Sequence, residues 1–254
     1  MSLIVYKKPK SPASEAFRIM RTNVSFANFD KKIKKILVTS SNPGEGKTAI
    51  ATNLAATIAS EGKRVLIIDA DMRNPKVAKK LGYTNSHGLS NIIAGHDILE
   101  NIVWSGYGDN LDVLTSGPNP PNPSEMLGSS QMGKMLEEAE KTYDTIIIDS
   151  PPLIAVTDPA VLSTYADGVL IVVESGETDI DQAIHSKKLL ENVNANILGV
   201  VLNKAPAKVR GYYAYYYSQY YGYGDIKDKG KRRPRTKKLF KWLRKKKRSL
   251  KRRD

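Results

Sequence analysis

The sequence predicts an α/β fold in which helices cover both faces of a mostly parallel sheet. Short aliphatic runs such as VLIID and TIIID alternate along the chain with segments whose apolar residues recur at helical spacing. The runs are almost continuously apolar, as strands are when helices bury both faces of a parallel sheet. Several end in acidic or amide residues, and such sheets bind ligands at the carboxyl ends of their strands. We therefore expect about six parallel strands that share one polar edge.

The first element along the chain is a proline-containing stretch, residues 1–14, whose lack of periodicity predicts an extended arm. Ser14 is the expected N-cap of a helix that runs from residue 15 to about residue 26. Glu15, Arg18 and Arg21 are spaced three apart and share one face of that helix. The spacing by itself indicates a solvated helix face with a local ion pair.

A strand, a glycine-containing loop and a helix follow one another in the stretch ILVTSSNPGEGKT at 36–48. This succession directs backbone N–H groups and the positive end of a helix at one point, which suits a nucleotide phosphate. It is the context that a P-loop requires, although Ser41 stands where the usual pattern has its first glycine. The alternative is a turn that contains Gly-Lys-Thr by chance. We predict a P-loop NTPase fold, and the residues expected at the nucleotide are Ser41, Asn42, Pro43, Gly44, Glu45, Gly46, Lys47, Thr48 and Ala49.

Four polar side chains are expected to carry the chemistry beside this loop, together with the Thr48 hydroxyl as an Mg²⁺ ligand. Lys47 would reach the β- and γ-phosphate oxygens. Asp69 and Asp71 follow the strand VLIID, where buried acidic residues are costly unless a cation is present. We interpret this pair as functional, and the alternative is an N-cap and a surface turn. Asp149 ends the strand TIIID and matches a Walker B carboxylate, which holds the Mg²⁺ shell. The predicted metal ligands are Thr48, Asp69 and Asp149.

The remaining elements complete the alternation of strands and helices. We predict strands at 111–117, 168–173 and 197–202, and helices from a Ser124 cap to about residue 141 and over 180–192. Asn203 follows the last strand, where an amide could contact a nucleotide base; a turn-forming asparagine is the alternative.

Composition limits the possible chemistry. The 254 residues include no cysteine, which excludes disulfides, thiolate nucleophiles and cysteine-ligated metal centres and indicates an intracellular protein. No apolar run approaches the roughly 18 residues of a membrane span, and the N-terminus lacks a signal-peptide core. The three histidines lack metal-ligand spacing, and we expect them to be structural or surface residues.

The net charge of +14 belongs to one end of the chain. Residues 225–254 carry 17 Lys/Arg and 3 Asp/Glu, which leaves 23 basic and 23 acidic residues before them. Because the preceding body is neutral, a basic folded surface for nucleic acid is not indicated. The tail sets Leu239, Phe240, Trp242 and Leu243 among lysines and arginines, as a segment for an anionic membrane surface would. A solvated basic tail and a nucleic-acid arm are the alternatives.

A tyrosine cluster precedes that tail. The segment GYYAYYYSQYYGYG at 211–224 holds eight of the thirteen tyrosines and neither the aliphatics of a core segment nor the alternation of a strand. We expect this C-terminal region to be disordered, and an adhesive low-complexity tail is one interpretation. The other is a set of phosphoryl acceptors, which comprises Tyr212, Tyr213, Tyr215, Tyr216, Tyr217, Tyr220, Tyr221 and Tyr223.

Taken together, these motifs resemble one family, the bacterial tyrosine kinases of capsule and exopolysaccharide synthesis. The resemblance covers nearly the whole chain. It rests on PKSPASEAFRIMRTN with its ExxRxxR spacing, SSNPGEGKT, VLIIDADMRNP, SGPNPPNPSEML, TIIIDSPP and the tyrosine cluster. It implies an arm at 1–14, a kinase domain at 15–210, an autophosphorylation cluster at 211–224 and a basic tail at 225–254.

The resemblance also implies roles and partners. Lys47 and Thr48 would belong to Walker A, Asp69 and Asp71 to Walker A′, and Asp149 to Walker B, with ATP and Mg²⁺ as cofactors. The ExxRxxR helix would join subunits into a ring in which one subunit's tyrosines enter the neighbour's site. Activation would come from the cytoplasmic end of a separate membrane protein. The kinase would then be cytoplasmic and peripherally associated with the inner face of the membrane.

The implied chemistry needs a base, because a tyrosine hydroxyl with a pKa near 10 is a weak nucleophile. A carboxylate of the Asp69/Asp71 pair would take its proton, and we favour Asp69 although the sequence does not separate the two. The main rival function is a partition or cell-division-site ATPase of the same fold. Such proteins carry an additional P-loop lysine where this chain has Asn42, and they lack a tyrosine cluster. A third possibility is a nucleotide-gated adaptor whose tail binds polyanions.

Overall fold

The computed structural model describes residues 3–27, 33–108 and 110–205. Its strands are β1 (Lys35–Ser40), β2 (Val65–Asp69), β3 (Leu111–Leu114), β4 (Thr145–Asp149), β5 (Gly168–Glu174) and β6 (Ile197–Asn203). Its helices are α1 (Ile4–Lys7), α2 (Pro12–Phe26), α3 (Lys47–Ala59), α4 (Val77–Leu81), α5 (Leu89–Ile93), α6 (Leu99–Ile102), α7 (Pro123–Leu127), α8 (Ser130–Thr142), α9 (Asp158–Ser163) and α10 (Ile180–Glu191).

The strands of the described ranges form one parallel six-stranded sheet in the order β3-β2-β4-β1-β5-β6. Strand β4 lies between β2 and β1, and its last residue, Asp149, is in register with Asp69 on one side and Val38 on the other. The predicted α/β fold with a parallel sheet is therefore confirmed. The order also brings three of the predicted functional strand ends side by side.

Helices bury both faces of this sheet, which explains why its central strands are continuously apolar. Along β2, Leu66 and Ile68 belong to one core cluster, whereas Val65 and Ile67 belong to the other. On the second face lies α3, which is buried almost along its whole length because α1 and α2 pack over it. The helix that follows the P-loop is thus an internal element rather than a surface one.

The N-terminal region differs from the predicted extended arm. Residues 4–7 form α1, with Leu3 buried, and α2 begins at Pro12 rather than at residue 15. Ser11, not Ser14, is its N-cap, since the Ser11 side chain accepts a hydrogen bond from the Ser14 N–H at 3.2 Å. Proline is favoured at the first position of a helix because its missing N–H has no partner there.

The remaining predictions concern the helix after Ser124, membrane spans and the C-terminal region. The single helix expected to follow Ser124 is divided into α7 and α8, which are separated by Gly128 and Ser129. No helix within the described ranges is long and apolar enough to cross a membrane. The tyrosine cluster at 212–223 and the basic tail at 225–254 lie outside the described residues.

Candidate active site

The predicted P-loop connects the carboxyl end of β1 to the first turn of α3. Gly44 and Gly46 adopt left-handed conformations, with φ of 88° and 96°, that favour glycine. Gly46 also lies against the last strand, since a Cβ on it would be 2.2 Å from Nδ2 of Asn203. The loop therefore needs glycine at Gly46 for two separate reasons, its backbone conformation and its close packing.

Lys47 is the first residue of α3 and lies among carboxylates. Its Nζ is 2.8 Å from Oδ2 of Asp71 and 3.9 Å from Oδ1 of Asp149. Burial works to lower the pKa of Lys47, but the attraction of Asp149 and Asp71 outweighs it, and the net shift is upward. Lys47 therefore keeps its positive charge at the polar edge of the sheet.

The Asp69 carboxylate accepts hydrogen bonds from backbone N–H groups. Its Oδ2 accepts hydrogen bonds from the N–H groups of Val77 at 2.8 Å and Lys76 at 3.0 Å, and its Oδ1 accepts one from Asp71 at 3.2 Å. Burial, and next the charge of Asp149, raises the pKa of Asp69. Asp69 thus stabilises the turn between β2 and α4. This turn contains Asp71 and positions it in the site.

Asp149 is fully buried, and neither of its carboxylate oxygens has a hydrogen-bond partner in the described part of the chain. Burial raises its pKa, whereas the positive charge of Lys47 and the hydroxyl of Thr48 oppose that shift. Unpartnered buried oxygens are costly, and they fit a site that receives a cation. Asp149 and Thr48 are hard oxygen donors of the kind Mg²⁺ takes alongside phosphate oxygens and water.

The structure contains no cage made by the protein alone, because no group of three or more histidine or acidic side chains within the described ranges is arranged to hold a metal. Mg²⁺ at phosphoryl-transfer sites is bound through one or two protein oxygens and the nucleotide. The residues present therefore fit a metal that arrives with a nucleotide.

Glu45 fastens the P-loop to the neighbouring elements, a role that sequence analysis missed. Its Oε2 accepts the backbone N–H of Asn42 at 2.9 Å, and its Oε1 accepts the hydroxyl of Thr178 from the loop after β5. The Asn42 amide in turn donates to Oε1 of Gln182 on α10 at 2.8 Å. These contacts place α10 against the outer side of the phosphate loop.

The end of β6 supplies two more donors to the loop. Asn203 donates from Nδ2 to the Glu45 carbonyl at 2.8 Å, and Lys204 donates from Nζ to the Gly44 carbonyl at 3.0 Å. Lys204 is also paired with Glu174 at 2.6 Å. The Asn203 amide therefore supports the P-loop itself; contact with a nucleotide base is a separate prediction.

A second ion pair lies beside this site and was not predicted. Arg73, two residues after Asp71, donates from Nε to Oδ2 of the buried Asp158 at 3.0 Å and from Nη2 to the Ser124 hydroxyl at 3.0 Å. From the sequence, Ser124 is expected only as a helix cap, whereas the structure places it inside α7, whose N-cap position is Asn122. Arg73, Ser124 and Asp158 are distant in sequence, so no local pattern reveals their contact.

The ExxRxxR face is placed away from this edge, on α2. Arg18 pairs with Glu15 and donates to the Pro9 carbonyl. Arg21 pairs with Glu61 at 2.8 Å and also contacts the Thr57 carbonyl of α3. The local ion pair expected from the spacing is present, and Arg21 connects α2 to the end of the P-loop helix.

The fold and this constellation of residues define a P-loop ATPase domain. Residues 33–198 match the family model described as AAA domain. The chain is 40% identical over 215 residues to tyrosine-protein kinase YwqD of Bacillus subtilis, covering 85% of this chain and 91% of that protein. It is 38% identical over 217 residues to the putative tyrosine-protein kinase CapB of Staphylococcus aureus, covering 85% and 95%. The chain therefore belongs to the bacterial tyrosine-protein kinases, as its motifs predict.

Solved structures agree with this assignment. The kinase domain of Escherichia coli tyrosine kinase ETK superposes with a TM-score of 0.77 at 36% identity, covering 80% of each chain. The chimerical protein CapA2B2 gives 0.78 at 41% identity, covering 81% of this chain and 90% of that one. Against the full-length E. coli etk kinase, 82% of this chain matches 28% of that protein. The cell-division ATPase MinD of Pyrococcus furiosus, at 22% identity and a TM-score of 0.60, shares the fold.

Proposed function

We propose that this chain transfers the γ-phosphoryl group of ATP to tyrosine hydroxyls, including those of its own C-terminal cluster. The observation that carries the proposal is the convergence of Lys47, Asp71 and Asp149 beside a phosphate-binding loop. Lys47 would bind phosphate oxygens and offset the negative charge that develops during transfer. Mg²⁺, held through Thr48 and Asp149, would neutralise further phosphate charge.

Asp71 is the better candidate for the base. Asp69 accepts hydrogen bonds from three backbone N–H groups, whereas Asp71 accepts one, from Asn74, and its Oδ2 lies 2.8 Å from Lys47, where the γ-phosphate is expected. Asp71 would accept the tyrosine proton as the phenolic oxygen bonds to the γ-phosphorus. The bond from that phosphorus to the oxygen shared with the β-phosphate breaks, and ADP leaves with the bonding electrons. This assignment departs from the preference for Asp69 expressed from sequence.

The biological context of the proposal comes from relatives. One is named CapB, and another is named as a putative tyrosine-protein kinase in the cps region of Klebsiella pneumoniae. We infer that this kinase regulates capsular or exopolysaccharide synthesis. The chimerical nature of CapA2B2 supports a kinase that works with a second polypeptide. The proposed partner is the cytoplasmic end of a membrane activator, and the proposed location is the inner face of the membrane.

The experiment is to incubate the purified chain with ATP and Mg²⁺ and to follow phosphotyrosine and inorganic phosphate separately. A tyrosine kinase accumulates phosphotyrosine with little free phosphate. A cell-division-type ATPase switch, the rival function, releases phosphate and leaves every tyrosine unmodified. Phosphate release without phosphotyrosine, with the activator's cytoplasmic segment present or absent, would overturn the proposal.

A further inference from the structure

Three exposed basic side chains follow the site carboxylate Asp71. They are Arg73, Lys76 and Lys79, spaced three apart in the turn between β2 and α4 and in α4 itself. Neither Lys76 nor Lys79 makes a side-chain hydrogen bond or ion pair in the described part of the chain. The positive charge of Lys76 nevertheless reaches the site, since it stabilises the ionised form of Asp149 and so acts to lower its pKa. We call these three residues the cationic rim.

Arg73 is the oriented member of the cationic rim. Asp158, itself fully buried, accepts hydrogen bonds from Nε at 3.0 Å and from Nη2 at 3.3 Å, and Ser124 also contacts both residues. The Arg73 side chain remains 42% exposed, and its Nη1 makes no hydrogen bond within the described ranges. One edge of the guanidinium is thus fixed to the protein while the rest of the side chain is open to solvent. The hydrogen bond with Asp158, and to a smaller extent the nearby charge of Asp71, raises the pKa of Arg73. Such a preorganised arginine suits a phosphate or carboxylate group.

The phosphoryl transfer proposed above does not require the cationic rim. Lys47 would bind the nucleotide, and Thr48 and Asp149 would bind the metal. The remaining reactant is the acceptor tyrosine with its flanking residues. The segment 211–224 contains no aspartate or glutamate, but its tyrosines stand in runs of two and three, as in 212–213, 215–217 and 220–221. After one transfer, the neighbouring acceptor is flanked by a phosphate of about two negative charges.

We propose that the cationic rim, with Arg73 as its oriented residue, is a binding site for the phosphate of a phosphotyrosine that flanks the acceptor tyrosine. This inference rests on the proposed kinase function and extends it to substrate specificity. Phosphorylation of the cluster is then progressive: the first transfer is slow, and each product improves binding of the next acceptor.

The test uses the full-length chain with its eight clustered tyrosines changed to phenylalanine, so that only added peptide is modified. Three peptides from residues 212–223 carry one acceptor tyrosine whose neighbour is phenylalanine, glutamate or phosphotyrosine. We expect the phosphotyrosine peptide to have a kcat/KM about tenfold above that of the phenylalanine peptide, chiefly through a lower KM. Arg73→Ala should bring that ratio close to one, and Arg73→Lys should keep part of it. Arg64→Ala, an exposed arginine at the other end of β2, should leave the ratio unchanged.

A binding measurement separates this inference from the kinase proposal. Fluorescence anisotropy of the labelled phosphopeptide is recorded with the Lys47→Met chain, in which transfer is blocked. Phosphopeptide binding that Arg73→Ala weakens supports the site whether or not transfer occurs. Equal kcat/KM for all three peptides, or a phosphotyrosine preference that survives Arg73→Ala, overturns the site while leaving a kinase. A glutamate peptide that matches the phosphotyrosine peptide would show that the rim selects any acidic neighbour and would overturn its assignment as a phosphate-binding site.

Discussion

The Lys47 ammonium and the Asp71 carboxylate form a buried ion pair at 2.8 Å. The pair joins the residue that would bind the γ-phosphate to the residue that would take the tyrosine proton. Phosphate oxygens compete with Asp71 for Lys47, and ATP binding would therefore release the carboxylate toward the acceptor. In the nucleotide-free chain the same pair neutralises a charge that would otherwise be buried alone.

Changing Lys47 to methionine is expected to abolish phosphotyrosine formation. The variant should remain folded, because the cores on both faces of the sheet do not depend on this side chain. It should nevertheless lose about 3 to 5 kcal/mol of stability, since Asp71 and Asp149 lose their cation. Phosphotyrosine blotting and urea denaturation measure the two effects. Lys35→Met is the matched control: it breaks a pair with Glu140 at the opposite end of β1 and should keep activity. Near-wild-type labelling by Lys47→Met would contradict the P-loop assignment.

Asp69 and Asp71 are expected to respond differently to conversion to asparagine. Asp71→Asn should reduce kcat at least about a hundredfold with little change in nucleotide affinity, because it removes the proton acceptor. Asp69→Asn should mainly lower stability, by about 1 to 3 kcal/mol, because an amide cannot serve all three backbone N–H groups. Single-turnover rates and thermal unfolding distinguish them. If Asp69→Asn were folded and stable yet lost the chemical step, the base would be Asp69.

The buried Asp149 carboxylate, which lacks a hydrogen bond within the described residues and has the Lys47 ammonium 3.9 Å away, is expected to destabilise the nucleotide-free protein. A carboxyl group with a raised pKa binds its proton more tightly in the folded chain, so its contribution to stability falls as pH rises above the ordinary value near 4. Asp149→Asn should therefore stabilise the chain by about 1 to 2 kcal/mol at neutral pH in EDTA, and by less at acidic pH. With ATP and Mg²⁺ the order should reverse, since the variant loses a metal ligand. Thermal unfolding at several pH values checks this, and a difference that grows toward acid pH would contradict it.

Gly46→Ala is expected to damage the phosphate loop more than Gly62→Ala damages the end of α3. Both glycines have positive φ, at 96° and 85°, but a Cβ on Gly62 meets nothing within 4 Å, whereas one on Gly46 meets Asn203. Gly62→Ala should cost about 1 kcal/mol and keep ATP binding. Gly46→Ala should cost more and weaken ATP binding, and Asn203→Ala in the same chain should recover part of the loss. Calorimetric titration measures ATP binding, and urea denaturation measures stability. Equal effects of Gly46→Ala and Gly62→Ala would refute the packing explanation.

Phosphorylation is expected to pass between subunits. Only eight residues separate Asn203 from Tyr212, a short tether for return to the same site. A Lys47→Met chain mixed with an active chain that lacks the clustered tyrosines should become labelled. An unlabelled inactive chain, together with wild-type labelling at a rate independent of concentration, would show an intramolecular reaction.

The ExxRxxR face is tested in the same mixture. Arg18→Ala in both chains should reduce labelling if this face joins subunits, since Arg18 and Glu15 remain partly exposed. Glu61→Gln is the control, because it removes the partner of Arg21 within the chain without altering Arg18. Equal loss in both variants would point to the α2–α3 contact rather than to a subunit interface.

The strands and the main site carboxylates were accessible from sequence because each is a local pattern with a general consequence. An aliphatic run ending in Asp69 or Asp149 predicts a buried parallel strand, and parallel strands place their ends at one edge. Pro12, at the first position of α2, also identifies Ser11 as the cap, whereas the prediction places the cap at Ser14.

Other features depend on contacts that no local pattern records. Helix α1 has only four residues, and it is fastened by the Ile4 N–H, which donates to Oδ1 of Asn53 at 2.9 Å. The hydrogen bond between Glu45 and Thr178 and the pair between Arg73 and Asp158 join residues 133 and 85 positions apart. Such contacts follow from the order of strands in the sheet, which periodicity does not determine.

The support that Asn203 and Lys204 give to the phosphate loop decides where the chain can be shortened. A chain cut after residue 205 keeps both donors to the Glu45 and Gly44 carbonyls. A chain that ends at Leu202 lacks both donors, so the two carbonyls would be exposed to water. Strand β6 itself would lose only its final residue. For crystals or calorimetry of an enzyme without the tyrosine cluster, the boundary is therefore set by the nucleotide loop, which requires Lys204, one residue beyond the last paired residue of β6.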